Sequence, residues 1–337
     1  MNPSQGNAAV TPEHLFQSLN AYQLTAAMKA AIELDVFTAI GEGANTAESA
    51  GARCKVSSRG MRILCDYLCV AGFLAKNGAQ YSMAADSALF LDRRSPAYIG
   101  SVAQFIAAPA LVAHYNDFTE TVRRGRPATE GTTSPEDPIW VEFARAMGPL
   151  QLLSANPFAE LACAGMKPQK VLDIAAGHGV FGIAVAKLHP EAQIFAADWA
   201  PVLKVAEETA RKAGVQGRYH LLPGSAFDVD FGCGYDLVLI TNFLHHFDRD
   251  TNVRLLRKIH QALVPGGRVA VLEFIPDENR VSPPQAAVFS LTMLAVTPAG
   301  DAYTFSEHEA MLKEAGFTDV KLHPLPPSPH KVVIAQR

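Results

Sequence analysis

This chain has little cysteine, little net charge and no long apolar run, and each shortage excludes something. Its five cysteines (54, 65, 69, 163 and 233) are an odd number with no CxxC pair. A disulfide framework and a thiolate zinc site are therefore not expected, and a reducing, cytoplasmic setting is. A formal net charge of −4 leaves no basic footprint for nucleic acid or an anionic membrane. Apolar runs such as Val102–Val112 are interrupted by Gln104 and Pro109 and are too short for a bilayer span. The first residues, Met1–His14, carry neither a basic nor an apolar segment of a secretion signal. No tight carboxylate cluster marks a divalent metal site, so no metal is expected. There is no internal repeat and no low-complexity tract. What is present is 337 residues, 49% apolar and 18% charged, enough for two packed domains.

The two halves differ in pattern. Leu15, Leu19, Tyr22, Leu24, Ala27, Ala31, Leu34 and Phe37 recur at helical spacing, so residues 15–40 are expected as helix. Residues 45–92 read as a helix–turn–helix with a wing. Thr46 caps Ala47–Arg53, Ser57 caps Ser58–Ala71, and Asn77-Gly78 turns a hairpin between Phe73–Ala75 and Gln80–Ser82. Helical sequence follows over 96–125, then a loop over Gly125–Pro138, then helices at Ile139–Met147 and Asn156–Ala164. From Lys170 strands and helices alternate, the pattern of a parallel sheet covered on both faces. The strands are placed at Lys170–Ile174, Gln193–Asp198, Tyr219–Pro223, Tyr235–Thr241, Arg268–Phe274, Asp319–Pro324 and Lys331–Ala335, the last two as an appended antiparallel hairpin. The expected domains are 1–165, helical and winged-helix-like, and 166–337, a Rossmann-like α/β domain.

The segment Val171–Gly182 holds Gly177-x-Gly179-x-x-Gly182, and Asp198 closes the next strand. Glycines there let backbone approach a ligand, and an acid after the second strand accepts from ribose hydroxyls. Dinucleotides and S-adenosylmethionine both satisfy that description. Asp173, inside the strand, separates them: it would repel a pyrophosphate and attract an ammonium or sulfonium. A nicotinamide-dependent oxidoreductase is the rival reading, discriminated by titration with each cofactor. A second rival is a winged-helix DNA-binding regulator. Residues 1–100 hold eight basic and eight acidic residues, with only Arg59 and Arg62 on the would-be recognition helix, and phosphate binding asks for more.

The chain resembles the two-domain S-adenosylmethionine-dependent O-methyltransferases of plant and bacterial small-molecule metabolism. The likeness runs from Leu15 to Ile334. It rests on Val171–Gly179, Ala197–Trp199, Pro223–Phe227, Phe243–Phe247, Leu263–Arg268 and Leu272-Glu273 in that order. It implies a class I methyltransferase domain behind a dimerisation domain, hence a homodimer, and S-adenosylhomocysteine as product. It also implies a cofactor site of Asp173, Ala175, Gly177, Gly179, Asp198, Trp199, Gly224, Ser225, Ala226, Phe227, Thr241 and Asn242. Trp199 would lie by the adenine, with Phe227 either packing on it or serving as core. Ser225 stands where the family places a carboxylate for the adenine amino group.

For catalysis the resemblance implies His245 as general base, held by Glu273 through its other ring nitrogen. His246 stands where the family often has Asp, which leaves open which histidine faces the acceptor. Ala302 replaces a second glutamate, for which Asp301 is the candidate substitute, while Tyr303 is a candidate donor to the acceptor. The acceptor pocket is expected from Trp140, Phe143, Met147, Phe289, Met293 and Tyr303, suiting a flat aromatic or polyketide-like molecule. O-methylation is the expected reaction, with C- or N-methylation on the same scaffold as the alternative. Use of the cofactor as a structural cation without transfer stays open.

Overall fold

The computed structural model describes residues 10–128 and 138–337. It separates into two compact units, Met1–Ala108 and Pro109–Arg337.

The first unit holds the helices Glu13–Leu19, Ala21–Glu33 and Val36–Gly41 where one helical stretch is expected. The breaks fall at Asn20 and at Asp35, which adopts a left-handed φ of 62°. The helix–turn–helix follows as read. Thr46 and Ser49 cap Ala47–Cys54 reciprocally, and the Ser57 hydroxyl accepts the Gly60 N–H at the start of Ser58–Val70. The wing is the antiparallel pair β1 (Leu74–Asn77) and β2 (Gln80–Met83). Asn77 pairs with Gln80, so the turn is Gly78-Ala79, one residue later than Asn77-Gly78, with Gly78 at φ +57°. Phe37, Met61, Cys65 and Leu68 form the centre of this unit's core.

The second unit is built on seven strands: β3 (Lys170–Ile174), β4 (Gln193–Asp198), β5 (Tyr219–Pro223), β6 (Tyr235–Thr241), β7 (Leu263–Glu273), β8 (Thr318–Pro324) and β9 (Lys331–Gln336). Their order is β5-β4-β3-β6-β7-β9-β8, with β9 antiparallel to both neighbours and the first five strands parallel. Successive residues of the central strands point to opposite faces. Val171, Leu237, Leu239 and Leu272 join one core with Phe158 and Phe181. Leu172, Ile174, Val238, Ile240 and Val271 join the other with Leu256 and Met311. Both faces are covered, which is why these strands read as unbroken apolar runs. The chain order reverses between β3 and β6, and ligands of such sheets bind at the carboxyl ends beside that reversal.

One helix, Ile139–Ala162, replaces the two expected on either side of residue 150, and it runs through Pro149 and Pro157. Its buried face, including Ala144, Gly148, Ala155 and Phe158, packs on the helices Val180–Leu188 and Ala200–Lys212. It thus belongs to the compact unit of the sheet. The expected loop Gly125–Pro138 lies largely outside the described residues. Among the described residues no helix is long and apolar enough to cross a membrane.

Candidate active site

The carboxyl edge of the sheet is laced together by its own backbone. After β3 the chain turns through Ala175, Gly177 and Gly179, all at positive φ. Gly182 then packs so close to β3 that a Cβ would sit 2.7 Å from Asp173 Oδ2 and 2.8 Å from Ile194 Cγ2. Only glycine fits, and its N–H donates to Asp173 Oδ2 at 3.1 Å. Asp198 ties the turn to β4 by accepting the Gly177 N–H (2.8 Å) and the Trp199 N–H (2.7 Å). Gly224, after β5, donates its N–H to the Asp198 carbonyl at 2.9 Å.

Asp173 is fully buried, and its Oδ1 has no partner among the described residues. Burial pushes its carboxyl up to about 7, and that of Asp198 up to about 6 against its two N–H bonds. A buried carboxylate oxygen left without a donor is costly, so this edge suits a ligand that brings cationic or hydroxyl donors. Asn242, beyond β6, adds a second orphan: it sits at φ +53° with Oδ1 buried and without a partner among the described residues. Thr241 beside it is buried. The Ser225 hydroxyl accepts the Phe227 N–H at 3.2 Å, a local turn contact. Ala226 is buried, and Phe227 packs edge-on against Phe247. Trp199 lies with Trp140 against Ala144, Val202 and Val205. The residues expected for the cofactor therefore share one sheet edge, and their unpaired buried oxygens fit S-adenosylmethionine.

Beside this edge stands the dyad. The register pairs Thr241 with Leu272, which puts Glu273 next to the turn Leu244–His246. Glu273 Oε1 accepts the N–H groups of Phe243 (2.8 Å) and Leu244 (2.9 Å), with His245 at 3.4 Å. Its Oε2 is 2.6 Å from His245 Nδ1. Burial would raise the Glu273 carboxyl, but the adjacent His245 and these hydrogen bonds hold it down at about 2. An ionised carboxylate only accepts, so His245 carries its proton on Nδ1 and presents Nε2 as a lone-pair acceptor. The turn's carbonyls are held as well. Asn252 Nδ2 donates to Leu244 O (2.9 Å) and Phe247 O (3.3 Å).

His246 lies in an aromatic nest, with ring centroids 5.4 Å from Trp140 and 6.4 Å from Phe243. Burial and His245 push its imidazole down to about 3. Phe289 meets His245 edge-on at 4.8 Å and stacks on Phe274 at 4.3 Å. Trp140 and Phe143 are edge-to-face at 6.2 Å, and Met147 lies one turn further along the same helix. Met293 packs into a core with Val296, Leu111 and Phe118.

Two expected roles are corrected. Asp301 does not bond the dyad: it pairs at the surface with Arg280, which also holds Glu307. Nor is Tyr303 poised to donate to an acceptor, because its hydroxyl gives its proton to the Phe247 carbonyl at 2.6 Å. A Cβ at Gly300 would collide with the His245 carbonyl, so this loop buttresses the turn rather than supplying an acid. Asn252 was not foreseen. Its signal is an amide on the buried stripe shared with Leu256 and Ile259. His308 and His330 were missed too. Both are buried, and the Glu273 carboxylate acts electrostatically on both.

Comparison with known proteins agrees with this geometry. The O-methyltransferase domain family matches residues 130–318, and the O-methyltransferase dimerisation domain family matches residues 16–93. A candidate O-methyltransferase of Nostoc punctiforme PCC 73102 superposes with a TM-score of 0.95 at 51% identity, covering 98% of this chain and 100% of that one. Human N-acetylserotonin methyltransferase, solved with S-adenosylmethionine, shares the fold at 22% identity and a TM-score of 0.83 over 99% of each chain. The 3-hydroxy-5-methyl-1-naphthoate 3-O-methyltransferase of Streptomyces sahachiroi is 28% identical over 307 residues, 88% of this chain and 87% of that protein. This chain belongs to the O-methyltransferase family and is a methyltransferase.

Proposed function

We propose that the protein methylates a hydroxyl of a small aromatic or polyketide-like acceptor with S-adenosylmethionine, His245 serving as general base. The observation that carries this reading is the 2.6 Å contact of His245 Nδ1 with buried Glu273, which leaves Nε2 as the free base. When bound, S-adenosylmethionine supplies a methyl already activated on sulfur for in-line displacement, leaving S-adenosylhomocysteine. Everything else falls to side chains. Asp173 faces the positive end of the cofactor, and Asp198 accepts from the ribose hydroxyls. The aromatic faces of Trp140, Phe143 and Phe289 orient a flat acceptor, with Met147 beside them. His245 Nε2 takes the hydroxyl proton as the oxygen gains its methyl, and Glu273 stabilises the resulting imidazolium. A phenol ionises near pH 10, so without a base only a minute fraction is phenolate at neutral pH.

The naphthoate 3-O-methyltransferase relative supports an aromatic hydroxyl as the acceptor. The match to a dimerisation domain supports a homodimer through the first unit. So do Leu15, Phe16, Leu19 and Tyr22, each more than half exposed on helices that lead that unit. All five cysteines are free, in keeping with a reducing cytoplasm. With a panel of phenolic and polyketide acceptors, S-adenosylhomocysteine production is followed by mass spectrometry. His245→Ala is expected to lower kcat about a hundredfold or more. His246→Ala, in its aromatic nest, is expected to cost far less. The reverse order would reassign the base, and product methylated on carbon or nitrogen would select the alternative reaction.

A further inference from the structure

The segment after β5 is neither helix nor strand, yet three of its carbonyls converge on one point. Lys258 occupies that point from the helix Arg249–Ala262. Its Nζ donates to Ala226 O (3.1 Å), Phe227 O (3.0 Å) and Val229 O (2.6 Å), and lies 4.2 Å from the Phe231 ring centroid. An ammonium has three protons to give, and all three are used. Carbonyl dipoles aimed at one point repel one another unless a cation sits between them. The rest of the loop's own bonding is slight: Ser225 accepts the N–H groups of Phe227, Asp228 and Val229. The same helix also carries Asn252, which holds the turn bearing His245. One helix thus sets the cofactor loop with one residue and the base with another.

We propose that Lys258 is a positioning residue for cofactor binding, fixing the shape of the loop Gly224–Val229 against the adenine. This rests on the reading above that Gly224–Phe227 border the adenine. It matters more in this chain because Ser225 offers no carboxylate to the adenine amino group. Affinity there depends on how accurately the backbone of the loop is held.

The test separates binding from turnover in the full-length enzyme. Lys258→Met keeps the apolar stem over Phe231 and removes the three charge-assisted bonds. It is expected to raise the Kd for S-adenosylhomocysteine and the KM for S-adenosylmethionine about tenfold or more. At saturating cofactor, kcat and the acceptor KM are expected to stay within about twofold. Lys258→Arg, which keeps the charge and its donors, is expected to bind within about threefold of wild type. A folded methionine variant that binds S-adenosylhomocysteine like wild type overturns the assignment. So does one that loses kcat with Kd unchanged. If the methionine variant does not fold, Lys258→Gln decides the matter on the same Kd, weakened binding supporting the role and wild-type binding overturning it. A wild-type enzyme that binds neither cofactor form overturns the cofactor reading and this assignment with it. A wild type that binds beside a variant that binds equally overturns the assignment alone.

Discussion

Glu273 holds the backbone of a turn with one oxygen and an imidazole with the other, and its charge serves both. Glu273→Gln keeps the shape but replaces one acceptor oxygen by an amino group. That group must face either the Phe243 and Leu244 N–H donors or His245 Nδ1–H, donor against donor. The way out is for His245 to move its proton to Nε2, where it can no longer accept one from substrate. Turnover is expected to fall on the order of 10²- to 10⁴-fold with acceptor KM little changed, checked by steady-state kinetics and a pH–rate profile. Residues like these were legible because both stand at strand ends, where the fold puts chemistry. Asp301 and Tyr303 were misread because their fates depend on non-local partners. Arg280 captures the carboxylate and the Phe247 carbonyl captures the hydroxyl, from 21 and 56 residues away in sequence.

Among the elements, the short turn Leu244–His246 has no stability of its own, since a single helical turn does not pay for its nucleation. It is held from outside: its N–H groups by Glu273, the Leu244 carbonyl by Asn252, and the Phe247 carbonyl that follows it by Asn252 and Tyr303 together. Asn252→Ala leaves the buried Leu244 carbonyl without its amide donor, while the half-buried Phe247 carbonyl keeps the Tyr303 hydroxyl. It is expected to cost about 2 kcal/mol in urea unfolding. It should also lower kcat more than it raises the cofactor KM, because what loosens is the base and not the cofactor loop. Four of the five parallel strands were read with their observed ends because buried β-strands are short apolar runs fenced by glycine, proline and aspartate. The helix Ile139–Ala162 was not, since each internal proline costs roughly 3 kcal/mol in isolation. That sum is offset by burying the helix's whole inner face, Phe158, Ala155 and Ala159 among it, a gain that no local pattern displays.

For the whole molecule, acid is where the two kinds of buried group pull apart. His178, His246, His308 and His330 are shielded from water, and burial pushes the imidazole of His246 down to about 3 and the other three down to about 4 from an ordinary 6.5. Between those values the unfolded chain binds their protons and the folded one does not, so their contribution is present above pH 6.5 and lost as pH falls towards 4. Asp173 and Asp198 oppose this. Their carboxyls are raised to about 7 and about 6 from 3.8, so the folded chain binds protons first and the cost of their burial is relieved as pH falls. Four imidazoles against two carboxyls leave the unfolded state with about two extra protons near pH 5, or about 2.7 kcal/mol of stability lost per pH unit. Below 4.5 the dyad adds to the loss, because Glu273, held at about 2, must be protonated on unfolding's side first. Urea midpoints measured from pH 7.5 to 4.5 are expected to fall continuously. A bound ligand that pairs with both aspartates keeps them ionised and removes the opposing contribution. With saturating S-adenosylhomocysteine the fall should therefore begin from a higher stability and steepen to about four protons, or about 5 kcal/mol per pH unit. Parallel curves with and without ligand would show that Asp173 and Asp198 do not change protonation on binding, and that the orphaned Asp173 oxygen is not where the cation sits.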